Sequence, residues 1–293
     1  MSRLRLLNAG KPFNSLAFLR NIPTIDAIIE KGKENTQKNY YVTVTSVLRD
    51  YKHQNTYRKT YDYYMRKLET VASSLNTQLE SNEKTDAQED NWIEWSEVLK
   101  IRDELQAKTD SIVITKELSK KEYNTVLSNL VLALYTEIEP RRNKDYMVMK
   151  VTNSPNADKL PPIFNYYDTI NKRFIYNVYK TSFKYDTQII NIEDNTKLLK
   201  AIDQYLQART VTIPEDLEYM YSLLSHYNEE IFDKDYDITR NLNRTFKKNI
   251  GASMLRHIYH SRNPETVQIV RDLKETATNM SHSVGMAINY MKV

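Results

Sequence analysis

The segment that most restricts what this chain can become is Ser119-Lys120-Lys121-Glu122, followed by Tyr123, Val126, Leu127, Leu130, Val131 and Leu134. A serine whose hydroxyl can take the backbone N–H three residues on, with a glutamate there to reach back, resembles a capping box at a helix start. Apolar residues at spacings of three and four then lay a continuous stripe along that helix, and such a stripe needs a core to face. A domain is therefore expected to begin at residue 119 and to run to 293.

Upstream, the periodicity is helical throughout. Leu16, Phe18, Leu19, Ile22, Ile25, Ile28 and Ile29 predict a helical hairpin with Pro23 at its turn. Thr36 opens a second segment through Tyr40, Val44, Val47, Leu48 and Tyr51, and a third follows from Tyr57 to Leu75. Between Lys31 and Leu68 there are nine Lys/Arg and three Asp/Glu, whereas Glu69 to Glu104 holds three and ten. Such asymmetry matters more than the net charge of +4. Lys38, Arg49, Lys52, Arg58, Lys59, Arg66 and Lys67 are the candidate contacts to a duplex backbone, since cations that neutralise phosphates release counterions. A solvated helix surface has the same composition, and both readings stand at this point. Ser81 to Asp90 is polar throughout and reads as an exposed loop. Asn91 begins another helix, carrying Trp92 and Trp95 toward a core and ending near Leu105, and Lys108 to Lys116 is weakly patterned. The expected organisation is a helical module over 1–110, a linker over 111–118 and a second domain over 119–293.

The second domain mixes elements. Met147 to Val151 alternates like a strand, Lys172 to Tyr179 is rich in aromatic and β-branched residues, and Gln188 to Ile192 returns the chain. Lys180 falls at the tip of that hairpin. Helices are expected over Leu198–Leu206, Leu217–Tyr227, Ile238–Lys247, Ser253–Tyr259 and Glu265–Ala277. The fold class expected is mostly α with a small antiparallel β-sheet, as a helical module followed by an α+β domain.

Scarce residues exclude several chemistries. With no cysteine, disulfides, thiol catalysis and Cys-type zinc sites are out. The glycines are Gly10, Gly32, Gly251 and Gly285, too scattered for a phosphate-cradling loop, so no ATP, NAD or other nucleotide cofactor is expected. His257 and His260 have no third ligand near them, and no metal is expected. No apolar run is long enough to span a membrane, and the N-terminus lacks a secretory apolar segment, so a soluble, intracellular protein is expected.

Five residues in a fixed order carry the functional reading. Arg142 precedes Asp145 by three, and Asp145 is placed to orient its guanidinium. Lys180 follows on the hairpin, Arg256 lies in Ser253-Met254-Leu255-Arg256-His257, and Met280-Ser281-His282-Ser283 is followed by Tyr290. This order resembles that of the tyrosine recombinases, the phage-integrase family, over roughly Ser119 to Val293. Ala133-Leu134-Tyr135 through Arg142-Asn143-Lys144-Asp145 is similar to the family's first arginine box, whose spacing to the acidic residue Arg142 fits and Arg141 does not, and Tyr179-Lys180-Thr181 is similar to the stretch with its hairpin lysine. Arg256 matches the second arginine, with Ser253 where the family usually has histidine, and Met280 to Ser283 is similar to the Leu-Gly-His-Ser box. The segment Phe174 to Ser182 is most like recombinases of large DNA viruses of protists and of virophages.

The resemblance implies a helical core-binding domain followed by a catalytic domain. It implies attack by Tyr290 on a scissile phosphate held by Arg142 and Arg256, giving a 3′-phosphotyrosine. Lys180 would protonate the leaving 5′-oxygen and His282 would contact the phosphate or assist proton transfer, without metal or nucleotide. Asp145 and Ser253 would support the site. The implied partner is double-stranded DNA and the implied assembly a homotetramer on it. A viral source would place it in host cytoplasm or nucleus, or packaged in the virion. The alternatives are a type IB-like topoisomerase and an inactive DNA-binding or structural protein with the same fold.

Overall fold

The stripe behind Ser119 does form a helix, with the hydroxyl of Ser119 accepting from the Glu122 N–H and the Glu122 carboxylate accepting from that of Ser119. The computed structural model describes residues 2–213, 222–227 and 230–291, and these divide into two compact units, Met1–Thr85 and Asp86–Val293.

The first unit holds α1 (Arg3–Leu7), α2 (Ile22–Ile29), α3 (Glu34–Leu48) and α4 (Asn55–Ser81). Leu7, Leu19, Ile25, Ile29, Tyr41, Val44, Leu48 and Tyr64 make its core. Pro23 is not at a turn between two helices. It sits in the first turn of α2, after a short 3-10 turn at Ala17–Arg20, where its missing N–H costs no helical hydrogen bond. Asp26, buried on α2, accepts from the Tyr41 hydroxyl (3.3 Å) on α3 and from that of Tyr63 on α4. The buried carboxylate thus joins three helices, since a charge taken out of water must be hydrogen-bonded.

The second unit holds α5 (Asp86–Asn91), α6 (Trp95–Asp110), α7 (Lys120–Thr136), α8 (Asn143–Tyr146), β1 (Lys150–Thr152), β2 (Tyr166–Asp168), β3 (Arg173–Tyr176), β4 (Gln188–Asn191), α9 (Thr196–Thr212), α10 (Asp235–Phe246), α11 (Ala252–His260), α12 (Pro264–Asn279) and α13 (Val284–Tyr290). Helix α7 is its axis. Every residue from Val126 to Tyr135 is buried, beyond the one-sided stripe, because α6, α9 and α10 all pack on it. Its polar positions are satisfied inside: Ser128 accepts from Asn241, and the Asn129 carbonyl accepts from Arg102 at 2.9 Å.

Those contacts set the division at Thr85/Asp86, before the expected linker at 111–118. Arg102 on α6 is 2% exposed and pairs with Glu137 just beyond α7 at 3.3 Å. Gln106 and Asp110, also on α6, bond Gln204 and Lys200 of α9. Helix α6 is therefore part of the second core, and it continues to Asp110. Part of the expected loop at Ser81 to Asp90 is helical, as α5.

The sheet runs β1-β2-β3-β4 and is mixed, correcting the expected antiparallel one. β1 pairs parallel with β2 (Val151 opposite Tyr167), while β2–β3 and β3–β4 are antiparallel. The connection 153–165 is about the dozen residues that a parallel return needs. The expected helix at Leu217–Tyr227 is also revised: 217–221 lie outside the described residues, and 222–227 form isolated bridges, Ser222 to Lys150 and Ser225 to Ile231. No helix among the described residues is long and apolar enough to cross a membrane.

Candidate functional site

Beyond the C-terminal end of α7 the chain carries Arg141, Arg142 and Asp145, and the charge of Arg256 acts on Tyr135 at that end. The Tyr135 hydroxyl, fully buried, donates to the Asn143 side-chain carbonyl at 2.9 Å, and the Asn143 amide donates to Thr239 of α10 at 3.0 Å. Thr239 lies against Gly251, where an added Cβ would come within 3.2 Å of its methyl carbon. One short chain of contacts thus ties together the end of α7 and the starts of α8 and α11.

Arg142 caps α8 immediately before Asn143, is half-buried, and makes no ion pair among the described residues. Arg256, on α11, is also half-buried, and its positive charge acts on the Tyr135 hydroxyl, opposing the burial that pushes that phenol well above its ordinary range. Arg142 thus precedes Asn143 in the chain and its charge acts on Asp145, while the charge of Arg256 acts on Tyr135, the other partner of the link. Ser253 is exposed in the first turn of α11, three residues before Arg256.

Asp145 is engaged differently from the sequence expectation. Its carboxylate accepts from the Nε of Arg141 at 2.8 Å, not from the guanidinium of Arg142. Arg141 also donates to Gln188 at 3.1 Å and stacks over the Tyr176 ring at 3.8 Å. The reason is reach: β3 and β4 offer Arg141 an aromatic face and an amide, and the buried carboxylate completes its set. Burial raises the Asp145 carboxyl above its ordinary range, with the charges of Arg141 and Arg142 acting against the shift.

Lys180 is exposed in the turn between β3 and β4. The Tyr179 hydroxyl is 2.8 Å from the carbonyls of both Tyr185 and Asp186, and Thr187 donates to Asn177. Asn165, 5% exposed, anchors the start of that turn. Its carbonyl accepts from the N–H groups of Asn177 and Val178 (2.8 Å each), and its amide donates to the carbonyls of Asp145 and Val178 (2.9 Å each). The turn that carries Lys180 is thereby tied to the backbone of α8.

His282 and Tyr290 form a second group. Ser281 adopts a left-handed conformation (φ 56°) that ends α12, the His282 N–H donates to the Ala277 carbonyl, and Ser283 caps α13. The His282 and Tyr290 rings are 5.7 Å apart between centroids, because a helical side chain leans back toward the N-terminus. The buried Nε2 of His282 has no hydrogen-bond partner, and Tyr290 is 62% exposed. Among the described residues no hydrogen bond, ion pair or ring contact joins this pair to Arg142, Lys180 or Arg256.

In the first unit, Arg49, Arg58, Lys59 and Arg66 are exposed, Lys38 and Lys52 are half-buried, and none of the six is ion-paired among the described residues. Lys67 differs. It bridges Glu30 at 2.9 Å and lies 3.9 Å from Asp26, so its charge is already committed to the α2 carboxylates.

Sequence reasoning missed Asn165 and the link between Tyr135 and Asn143, which it held only as letters of the first arginine box, and it set Arg141 aside on spacing. Asparagine beside an arginine and tyrosine on a buried stripe carry no signal until their partners are in place. Comparison with known protein families, with curated proteins and with solved structures finds no match to this chain.

Proposed function

We propose that the chain is a DNA strand transferase of the tyrosine recombinase type, acting as a site-specific recombinase or integrase on double-stranded DNA. The observation that carries this reading is the arrangement at the end of α7. Arg142 adjoins Asn143 in the chain, the charge of Arg256 acts on Tyr135, which bonds that Asn143, and Asn165 holds the Lys180 turn to the same α8. A phosphodiester under attack builds negative charge on its non-bridging oxygens, and two arginines that form no ion pair among the described residues are suited to hold it.

In this reading the Tyr290 phenol oxygen attacks phosphorus, its proton passing to His282 or solvent. The new bond is a 3′-phosphotyrosine, the bond broken is that to the 5′-oxygen, and Lys180 supplies that oxygen with a proton. Phenol has an ordinary pKa near 10, so the attack needs this help at neutral pH. A second 5′-hydroxyl reverses the step, since the phosphotyrosine keeps a phosphodiester-like bond. The cycle therefore needs no nucleotide, and the resemblance calls for a homotetramer on DNA. The α12–α13 segment must bring Tyr290 to the arginine pair, within one chain or between copies.

A second reading is a DNA-binding protein of this architecture that does not cleave. It is supported by the exposure of Tyr290 and by its lack of contact with the arginine pair. The test is trapping on a pool of nicked duplexes with varied sequence at the nick. Wild type should form a denaturant-resistant adduct that Tyr290→Phe loses. Duplex binding with no adduct on any member would select the non-cleaving reading, and relaxation of supercoiled plasmid without a preferred site would select a type IB-like topoisomerase.

A further inference from the structure

We infer that the second unit carries a separate groove for a phosphate-rich anion, at the end of α7 opposite to Arg142 and Arg256. The groove, of about 530 Å³, is lined by α6, α7 and the end of α10. That is the size range of sites that take small ligands. Four cations line it: Lys108 of α6, Lys121 of α7, Arg244 of α10 and Lys247 just past its end. Glu104 is the one carboxylate in the lining.

All four cations are exposed, and none forms an ion pair among the described residues. Helix ends account for three of them. Lys108, Arg244 and Lys247 stand at the C-terminal ends of α6 and α10, where the carbonyl ends of the helix favour positive charge. Lys121 has no such explanation, because it occupies the first turn of α7, where the helix end is itself positive. Four like charges facing one groove repel one another, and an anion in the groove would reverse that term. Ammonium and guanidinium groups on three helices match a ligand with several phosphate oxygens. From Lys121 to Tyr135 along α7 is ~21 Å at the usual helical rise, so a single phosphate cannot serve both this groove and the arginine pair. The inference does not rest on strand transfer.

The phosphates can belong to a nucleic-acid strand or to a free anion, and two measurements on the full chain separate these. The first is calorimetric titration with inorganic pyrophosphate. The second is anisotropy of a labelled duplex between about 50 and 300 mM salt. Both compare wild type with K108A/K121A/R244A/K247A and with the charge reversal K121E/R244E, and K159A/K197A controls for loss of charge elsewhere on the unit. If DNA fills the groove, the fourfold variant flattens the dependence of log K on log salt by about 2–4. If a free anion fills it, pyrophosphate binding weakens by about tenfold or more and the DNA slope stays unchanged. Wild-type behaviour of both groove variants in both measurements overturns the inference, and so does an equal effect of the control. Loss of the helix-end charges should lower the melting temperature only modestly and leave unfolding cooperative, which separates lost binding from lost folding.

Discussion

Asn165→Ala is the substitution that most directly tests how the second unit is built. The side chain is 5% exposed and makes four hydrogen bonds, accepting from the Asn177 and Val178 N–H groups and donating to the carbonyls of Asp145 and Val178. All four partners are backbone groups, so truncation orphans them and no rotamer change can rescue them. At about 1 kcal/mol net for each bond, and more wherever water cannot reach the orphaned group, the loss should be about 3–4 kcal/mol. For a unit of this size that lowers Tm by roughly 6–16 °C. The assay is thermal or urea unfolding followed by tryptophan fluorescence, because Trp92 and Trp95 are the chain's only tryptophans and both lie in this unit. Asn165→Asp keeps both acceptor positions and loses both donors, so it should fall between wild type and alanine. Hydrogen exchange over residues 177–187 should rise in parallel, since the Lys180 turn loses its tie to α8. A loss below about 1 kcal/mol with unchanged exchange would refute the anchoring role.

The two adjacent arginines should separate cleanly. Arg141→Ala leaves the buried Asp145 carboxylate without its ion partner and should cost about 3–5 kcal/mol of stability in the same fluorescence assay. Arg142→Ala breaks no ion pair among the described residues and should shift stability by less than about 1 kcal/mol while abolishing the covalent DNA adduct. In the first unit, the phenols of Tyr41, Tyr63 and Tyr64 are all raised above their ordinary value near 10. Burial leads for Tyr41 and Tyr64, and the hydrogen bond to Asp26 leads for Tyr63. The folded state then holds these protons more tightly than the unfolded one. Its stability is fully present below about pH 10 and is lost as pH rises past that value. Absorbance at the phenolate band during an alkaline titration should show these three ionising late and together with loss of helical circular dichroism; independent early titration would contradict the packing.

Local signals carried the helices of this protein. The Ser119–Glu122 box, the stripe behind it, and the tyrosine- and lysine-rich segments that became α3 and α4 all depend on residues three or four apart, which any chain satisfies by itself. They also supplied the order Arg142, Lys180, Arg256, His282 and Tyr290, and the strand character of residues 173–176 and 188–191. What decided the rest lies between residues far apart in sequence. Whether α6 ends a first domain or opens a second turned on the burial of Arg102, which is stable only beside Asn129 and Glu137. Whether Arg141 or Arg142 takes Asp145 turned on Tyr176 and Gln188, which reach Arg141 only after β3 and β4 have paired. The parallel pairing of β1 with β2 came from the crossing at 153–165, and Lys67 was withdrawn from the basic face by Asp26 and Glu30 on another helix. Apolar periodicity is a property of one element, whereas a buried polar group is placed by partners that only the assembled fold supplies.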